Sequence, residues 1–397
     1  MLKFVKTWWS ITILHIEIEQ PIVCLEFFSG IGGLHYGIQE SGISYRMAMA
    51  FDMNENANDV YEYSFGQRPN NKAIDYLTIQ DIDRHKADCW LLSPPCQPYT
   101  RGGNYGDNDD PRARGLMHIL DLLPQLQHRP SYILLENVMN FETSQSRNLL
   151  IKVLGKLGFK FYECLLSPIQ FGIPNNRLRY FLIARLRRPD PCILENKSNC
   201  QVGLNTTHIC SEHTMWLSEN IKLTENYLSQ GKEVIYTEWP FGPAVKTITV
   251  KEIIQRPLYS YVDTNQNTVL TLQVSASDIL RRRRLEFDIV QPSSTQTSTF
   301  TKAYGSKHLI GSGSLLQTQQ MDITENGFNA PEKLLNLGLR FFSPKEVARL
   351  HHFPEKDFKH TLKFPSRITQ RQQLQLLGNS LNVHVVAQLL KHILFCE

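Results

Sequence analysis

Short apolar runs alternate with apolar positions at helical spacing along the first half of the chain. Ile22 to Phe28 reads as a strand, and Ser29-Gly30-Ile31-Gly32-Gly33 follows it at once. Leu34, Ile38 and Glu40 begin a short helix that Gly42 stops. Met47 to Phe51 is a second strand ending at Asp52, and a helix follows around Asn56 to Tyr63. Ile74-Asp75 marks a turn before Asp88 to Leu92, the next strand. Leu116, Ile119, Leu120, Leu123 and Leu126 then repeat at helical spacing. Tyr132 to Leu135 is a buried strand ending in Glu136-Asn137-Val138, the helix over Leu149 to Leu157 stops at Gly158, and Tyr180 to Ala184 is again strand-like. Strands alternating with helices, each strand followed by a polar or glycine-rich turn, predict an α/β fold. The expected form is a parallel sheet with helices on both faces. The turns would line one edge of that sheet, where ligands bind.

The alternation stops near residue 188, where Arg187-Arg188-Pro189-Asp190-Pro191 looks like a boundary. From there to about residue 336 the chain is polar and irregular. It carries a basic run, Arg281 to Arg284, and a Ser/Thr/Gln stretch from Ser293 to Thr301. Order returns at Leu337. Ser343-Pro344-Lys345-Glu346 is a helix start, with Ser as N-cap, Pro at the first helical position and Glu at the third. The chain closes with Leu376-Leu377-Gly378-Asn379-Ser380 and an apolar helix running to Phe395. The outline is a large domain over 21–188, an inserted smaller region over 189–336, and a return to the large domain over 337–397, with residues 1–20 as an N-terminal extension.

One turn stands out chemically. Cys89-Trp90-Leu91-Leu92 leads into Ser93-Pro94-Pro95-Cys96-Gln97-Pro98, and Tyr99-Thr100-Arg101-Gly102-Gly103 follows. Each proline fixes its own φ and restricts the residue before it, so this loop has few conformations. It delivers a cysteine at the end of a sheet strand. By itself that is equally a stiff structural turn, because a lone cysteine is only a candidate nucleophile. Gly30-x-Gly32-Gly33 lets backbone approach a ligand closely. Asp52, at the end of the next strand, stands where an acid can take two ribose hydroxyls. The full dinucleotide glycine pattern is missing and no pyrophosphate contact is called for, which favours S-adenosylmethionine over NAD. Glu136 at a strand end is ordinarily a solvated group, but opposite a cysteine it could hold a ring nitrogen that gains charge. Arg177-Leu178-Arg179 puts two arginines on one face of a strand, able to fix a carboxylate and a carbonyl oxygen.

Composition narrows the class. The net charge of +4 permits a nucleic-acid partner without demanding one. Eight cysteines without a C-x-x-C pair fit a reducing compartment, hence cytoplasm or nucleus. Cys192, Cys200, His208, Cys210 and His213 cluster, but their spacing is irregular for zinc, and no metal is expected. No apolar run approaches the length needed to cross a bilayer, and the first twenty residues lack the h-region and cleavage site of a signal peptide.

Five segments occur in the order found in cytosine-5 methyltransferases: Phe28 to Gly33, Ser93 to Pro98, Glu136-Asn137-Val138, Arg177-Leu178-Arg179 and Gly378-Asn379-Ser380. The chain more closely resembles the DNA-methyltransferase-2-like family, the aspartate-tRNA cytosine-5 methyltransferases. Leu134 to Val138, Gly172-Ile173-Pro174-Asn175, Phe300 to Ser306 and Leu376 to Val386 carry that closer likeness, which runs from about Ile22 onward. The resemblance implies a Rossmann-like S-adenosylmethionine-dependent methyltransferase sheet whose inserted region recognises the target. It implies Cys96 as nucleophile on carbon-6 of cytosine, Glu136 on ring N3, and Arg179 orienting the base with Arg177 close by. For the cofactor, S-adenosyl-L-methionine, it implies Phe28, Ser29, Gly30, Ile31, Gly32 and Gly33, then Asp52 for the ribose and Ile74 and Asp75 for the adenine. Ser93, Asn379 and Ser380 complete the set, so the C-terminal segment must fold back beside the first strand.

The implied substrate is the anticodon-loop cytosine at position 38 of aspartate tRNA, with DNA as a weak secondary partner and a monomeric protein. A base already unstacked in a loop costs less to present than one flipped from a duplex. A DNA methyltransferase, a tRNA-binding protein without turnover, and an NAD enzyme of the same broad fold are the rival readings. Arg281 to Arg284 is a candidate phosphate contact or a solvated face. Two departures from the family pattern stand out. Thr299-Phe300-Thr301 replaces the usual Cys-Phe-Thr, and residues 1 to about 20 precede the usual start. These residues are expected to reflect a wrongly assigned start rather than a working arm.

Overall fold

The computed structural model describes residues 20–99, 110–186, 256–263, 271–281, 287–306, 309–323 and 330–395. Residues 1–19 of the N-terminal extension, Thr100 to Gly103, the expected boundary at Arg187–Pro191, the Cys192–His213 cluster and Arg282 to Arg284 lie outside the described residues. Six strands form the main sheet: β1 (Ile22–Phe27), β2 (Tyr45–Phe51), β3 (Cys89–Leu92), β4 (Tyr132–Val138), β5 (Phe159–Leu166) and β6 (Arg179–Leu186). Their order across the sheet is β2-β1-β3-β4-β6-β5.

The helices α1 (Gly33–Ser41), α2 (Glu55–Phe65), α3 (Ile79–Asp83), α4 (Arg114–Leu122) and α5 (Gln145–Lys156) lie between those strands in sequence. Their ends follow local chemistry. Asn54 caps α2 by accepting from the Asn56 and Ala57 amides, and Ser144 caps α5. Gly42 and Gly66 end α1 and α2 in the left-handed conformation. The apolar repeat over 116–126 is helical only to Leu122. Pro124 lies in a 3-10 turn over Leu123–Gln125, and the chain leaves extended at Leu126.

The parallel-sheet expectation needs correction at one side. β1, β2, β3 and β4 pair in parallel, but β6 is antiparallel to both β4 and β5. β5 carries no strand signal as clear as the others, because its residues mix Lys160 and Glu163 among apolar ones at the sheet edge. One sheet face packs Leu25, Phe27, Trp90 and Leu135 against Leu116, Leu120 and Leu154 of α4 and α5. The other packs Cys24, Leu91, Leu134 and Ile183 against Leu34 and Ile38 of α1 and Val386 and Leu390 from the C-terminal segment. Apolar burial at about 25 cal/mol per Å² makes these two layers the main favourable term.

Beyond the sheet come α6 (Ala276–Leu280), a two-strand pair of β7 (Ile289–Val290) with β8 (Leu315–Leu316), and α7 (Pro331–Leu334). These elements gather around Val274, Ile279, Phe287, Leu315 and Leu339. α8 (Pro344–Leu350) starts with the expected capping box between Ser343 and Glu346. α9 (Gln370–Gly378) and α10 (Val383–Leu389) follow, and the terminal helix finishes as a π turn over Leu390–Leu394. α10 lies against α1, so the end of the chain completes the layer begun by the first helix. Among the described residues, no helix is long and apolar enough to cross a membrane.

Candidate active site

The site is built at the ends of β3 and β4. These strands are parallel neighbours in register Leu92↔Leu135, so Ser93 comes beside Glu136 and Pro94 beside Asn137. The Ser93 hydroxyl donates to Glu136 Oε2 at 2.8 Å, and Asn137 Nδ2 donates to the Pro94 carbonyl at 3.3 Å. Glu136 and Asn137 thus lace the cysteine loop to the adjoining strand. Behind Cys96 the chain turns into a 3-10 segment, Gln97–Tyr99, with the Tyr99 amide donating to the Cys96 carbonyl at 3.0 Å. The Tyr99 hydroxyl reaches Ser146 of α5 at 2.8 Å, so loop rigidity comes from side-chain bonds as well as prolines.

The antiparallel turn of β6 supplies the arginine. Phe181 lies opposite Glu136, and Arg179 sits two residues earlier on the same face. Its Nε is 3.4 Å from Glu136 Oε1. Cys96 is half-buried. Burial pushes its thiol up, Arg179 pulls it down, Glu136 pushes it up again, and Arg177 pulls it down. The net direction is upward, so the resting group is a thiol with its activating cation at hand.

Arg177 is close enough to act on Cys96, Glu136 and Arg179, as expected, but not on the strand face that alternation gave it. It precedes β6, is buried, and does not share a strand face with Arg179. Its guanidinium donates to the carbonyls of Phe300 (2.8 Å), Gly378 (3.1 Å) and Ser380. It is a tie between the sheet, the inserted region and the C-terminal segment. Its Nε has no hydrogen-bond partner among the described residues.

The predicted cofactor residues gather around the turn after β1. Phe28 has φ 58 and Gly32, the cap of α1, has φ 84. A Cβ on Gly33 would meet Leu381 and the Ser380 hydroxyl, so the C-terminal segment does return to this turn. A Cβ on Gly30 would meet nothing within 4 Å, so that side of the turn is open. Ile31 is buried in the core shared by α2 and the C-terminal helices, so it anchors the turn. Ser29 Oγ is buried with no hydrogen-bond partner among the described residues, an orphan that a ligand would satisfy.

Asp52 first serves the turn itself. Its Oδ2 accepts from the Gly30 amide and its Oδ1 from the Asn54 amide, each at 2.8 Å. Burial pushes its carboxyl up, against the two amides that pull it down. Each oxygen retains a lone pair for a ribose hydroxyl. Ile74 is buried and Asp75 half-buried in a 3-10 turn over Ile74–Tyr76. A Cβ on Gly115 of α4 would meet the Phe28 ring and Ile74, so a glycine that carried no sequence signal lets α4 close on this wall. Open turn, orphan hydroxyl and acid together fit a nucleoside-bearing cofactor.

A cleft of ≈ 600 Å³ opens beside this region, with Asn54, Lys302, Arg371 and Asn379 among its lining residues. Cys96, Glu136 and Arg179 are not among its lining residues. Thr299, where relatives are expected to carry cysteine, donates its hydroxyl to the Asn176 carbonyl at 2.6 Å. It therefore braces the segment leading to Arg177.

Residues 22–394 match the C-5 cytosine-specific DNA methylase family. A Homo sapiens relative, tRNA (cytosine(38)-C(5))-methyltransferase, is 39% identical over 402 residues, covering 94% of this chain and 99% of that protein. A Dictyostelium discoideum relative, DNA (cytosine-5)-methyltransferase, is 37% identical, covering 92% of this chain and 93% of its own. The crystal structure of S. pombe Dnmt2 methyltransferase superposes with a TM-score of 0.71 at 31% identity, covering 94% of this chain and 98% of that one.

Proposed function

The chain belongs to the C-5 cytosine-specific DNA methylase family, and from that membership we propose that it methylates carbon-5 of a tRNA cytosine, position 38 in the anticodon loop of aspartate tRNA, through a covalent adduct with Cys96. The observation that carries this reading is the joining of three groups at one sheet edge. Cys96 follows Ser93, Ser93 holds Glu136, and Glu136 faces Arg179. The human relative's name supports tRNA as the substrate class.

The Cys96 sulfur attacks carbon-6 of the base as a thiolate, with Arg179 favouring the charged form. Glu136 holds a proton at ring N3, which leaves carbon-5 electron-rich. Arg179 orients both the base and Glu136. S-Adenosyl-L-methionine, when bound, supplies the methyl group to carbon-5. Loss of the carbon-5 proton then breaks the carbon–sulfur bond and frees Cys96. Phe28 to Gly33, Asp52, Ile74, Asp75, Ser93, Asn379 and Ser380 would hold the cofactor. Arg177 would act through position, since it fixes the carbonyls of Gly378 and Ser380.

The test uses tritiated S-adenosylmethionine with aspartate tRNA, the same tRNA carrying uridine at the target position, and duplex DNA. Label in the first only, lost in Cys96→Ala, is expected. Label in DNA and none in tRNA would replace this reading with DNA methylation, the activity named for the Dictyostelium relative. Equal tRNA binding by wild type and Cys96→Ala, with no label from either, would leave a binding protein.

A further inference from the structure

We infer that Glu40, His352 and His384 form a site for a divalent transition-metal ion, Zn²⁺ by its ligand chemistry, clamping the C-terminal segment onto α1. Glu40 lies in the last turn of α1, His352 just after α8, and His384 in α10. His384 Nδ1 is 2.6 Å from Glu40 Oε1, and His352 Nδ1 is 3.2 Å from Glu40 Oε2. The three ligand atoms all lie within 4.8 Å of one another. In a tetrahedral zinc site, with metal–ligand distances of about 2.0–2.2 Å, ligand atoms sit about 3.3 Å apart. The 4.8 Å bound leaves the trio wider than that spacing by at most about 1.5 Å. Two imidazoles and a carboxylate suit zinc and its neighbours rather than magnesium or calcium, which take oxygen ligands.

Two features separate this trio from an incidental ion pair. His352 holds φ 60, a left-handed backbone that favours glycine, so an imidazole stands here at a conformational cost. The surroundings also fix the ligands in advance. Asn382 Nδ2 donates to the Leu350 carbonyl at 3.0 Å, and the Val383 amide donates to the His351 carbonyl at 2.9 Å. The turn carrying His352 and the start of α10 are thereby one unit. A Cβ on Gly37 would collide with Val386, so α1 and α10 approach more closely than side chains would allow. That approach brings Glu40 to His384. Phe171 meets the His384 ring edge-on, with centroids 6.0 Å apart.

His352 is exposed, which gives an ion a path in and leaves the fourth position to water. An ion held here would pin α10 at His384, four residues past Ser380, to the helix that begins at Gly33. Its role would be to hold the cofactor turn closed rather than to react.

The experiment is a Co²⁺ titration of the full chain followed by visible absorption, with Zn²⁺ competition and thermal melts. It reads metal uptake rather than methyl transfer, so it stands apart from the catalytic proposal. One Co²⁺ should bind with the bands of a four-coordinate nitrogen and oxygen site, and Zn²⁺ should displace it and raise Tm. His352→Gly suits the left-handed backbone and so keeps the fold. It should weaken Co²⁺ binding at least tenfold and abolish the Zn²⁺ shift in Tm, as should Glu40→Gln. Equal affinity in wild type and His352→Gly, no uptake, or a near-ultraviolet thiolate band placing the ion on cysteines would each overturn the proposal.

Discussion

The Ser93 hydroxyl and Glu136 are joined at 2.8 Å across the ends of two parallel strands, although 43 residues separate them in sequence. A hydrogen bond to a charged group contributes about 1.5–3 kcal/mol. Where that bond holds the carboxylate for the reaction, Ser93→Ala should lower the rate of methyl transfer roughly 10- to 100-fold, with a loss of folding stability no larger than the same energy. Single-turnover transfer from tritiated S-adenosylmethionine checks this. A rate within twofold of wild type would mean Arg179 alone positions the carboxylate.

Cys96 predicts a pH dependence. Burial, set against the pull of Arg179, leaves the thiol above its ordinary value of 9.0. The attacking form is the thiolate, so kcat/KM should climb across neutral and mildly alkaline pH. The slope approaches tenfold per pH unit while the thiol remains mostly protonated. Arg179→Gln removes the first cation that opposes burial, and should move this rising limb to higher pH. A pH profile with an unshifted limb in the variant would contradict the assignment.

Arg177 joins three parts of the molecule through three carbonyls. Arg177→Met leaves those acceptors buried and unpaired, at about 1–3 kcal/mol each in the worst case. The expected loss in urea unfolding is at least about 3 kcal/mol, together with weaker cofactor binding because Ser380 is released. Gly378→Ala should act in the same direction, since its Cβ would collide with the backbone of Thr301 and Lys302. A stable Arg177→Met with normal cofactor affinity but no turnover would instead make Arg177 a base-facing group.

Glu26 lies fully buried on β1, with the His35 amide donating to Oε1 at 3.2 Å and the Tyr61 hydroxyl at Oε2 at 3.0 Å. Burial pushes its carboxyl up to about 8, despite the opposing bonds from Tyr61 and His35. The folded protein then keeps this proton where the unfolded chain, near 4.5, has lost it. Stability contributed at acid pH should fall as pH rises from that unfolded value toward about 8, by up to roughly 1.4 kcal/mol per pH unit. Glu26→Gln imitates the protonated acid and should flatten this slope in urea unfolding across the same range. An unchanged slope would place the titration elsewhere.

Contiguous features were legible in the sequence because local chemistry determines them. The prolines around Cys96, the Phe28–Gly33 turn and the Ser343–Glu346 capping box each constrain their own backbone. Residue pairs set by register were not. Arg177 and Arg179 look equivalent by strand alternation, but β6 begins at Arg179, so only one belongs to the sheet. Alternation also says nothing about strand direction, and it is the antiparallel pairing of β6 that turns Arg179 toward Glu136. Glu40 and His384 lie 344 residues apart, and only the close approach of α1 to α10 unites them. Gly115 gave no signal, because its use depends on the Phe28 ring across the site.

The return of the C-terminal segment has a consequence for folding. The first helix lacks its covering layer without α10. The strands β1 to β4 pair through contacts nearer in sequence, but the turn after β1 stays uncovered until Leu381 and Val386 pack against Gly33 and Gly37. Such long-range contacts carry a large loop-closure cost, so this layer should form late. A chain with α10 undocked would have its nucleophile loop in place beside an unfinished Gly33 turn.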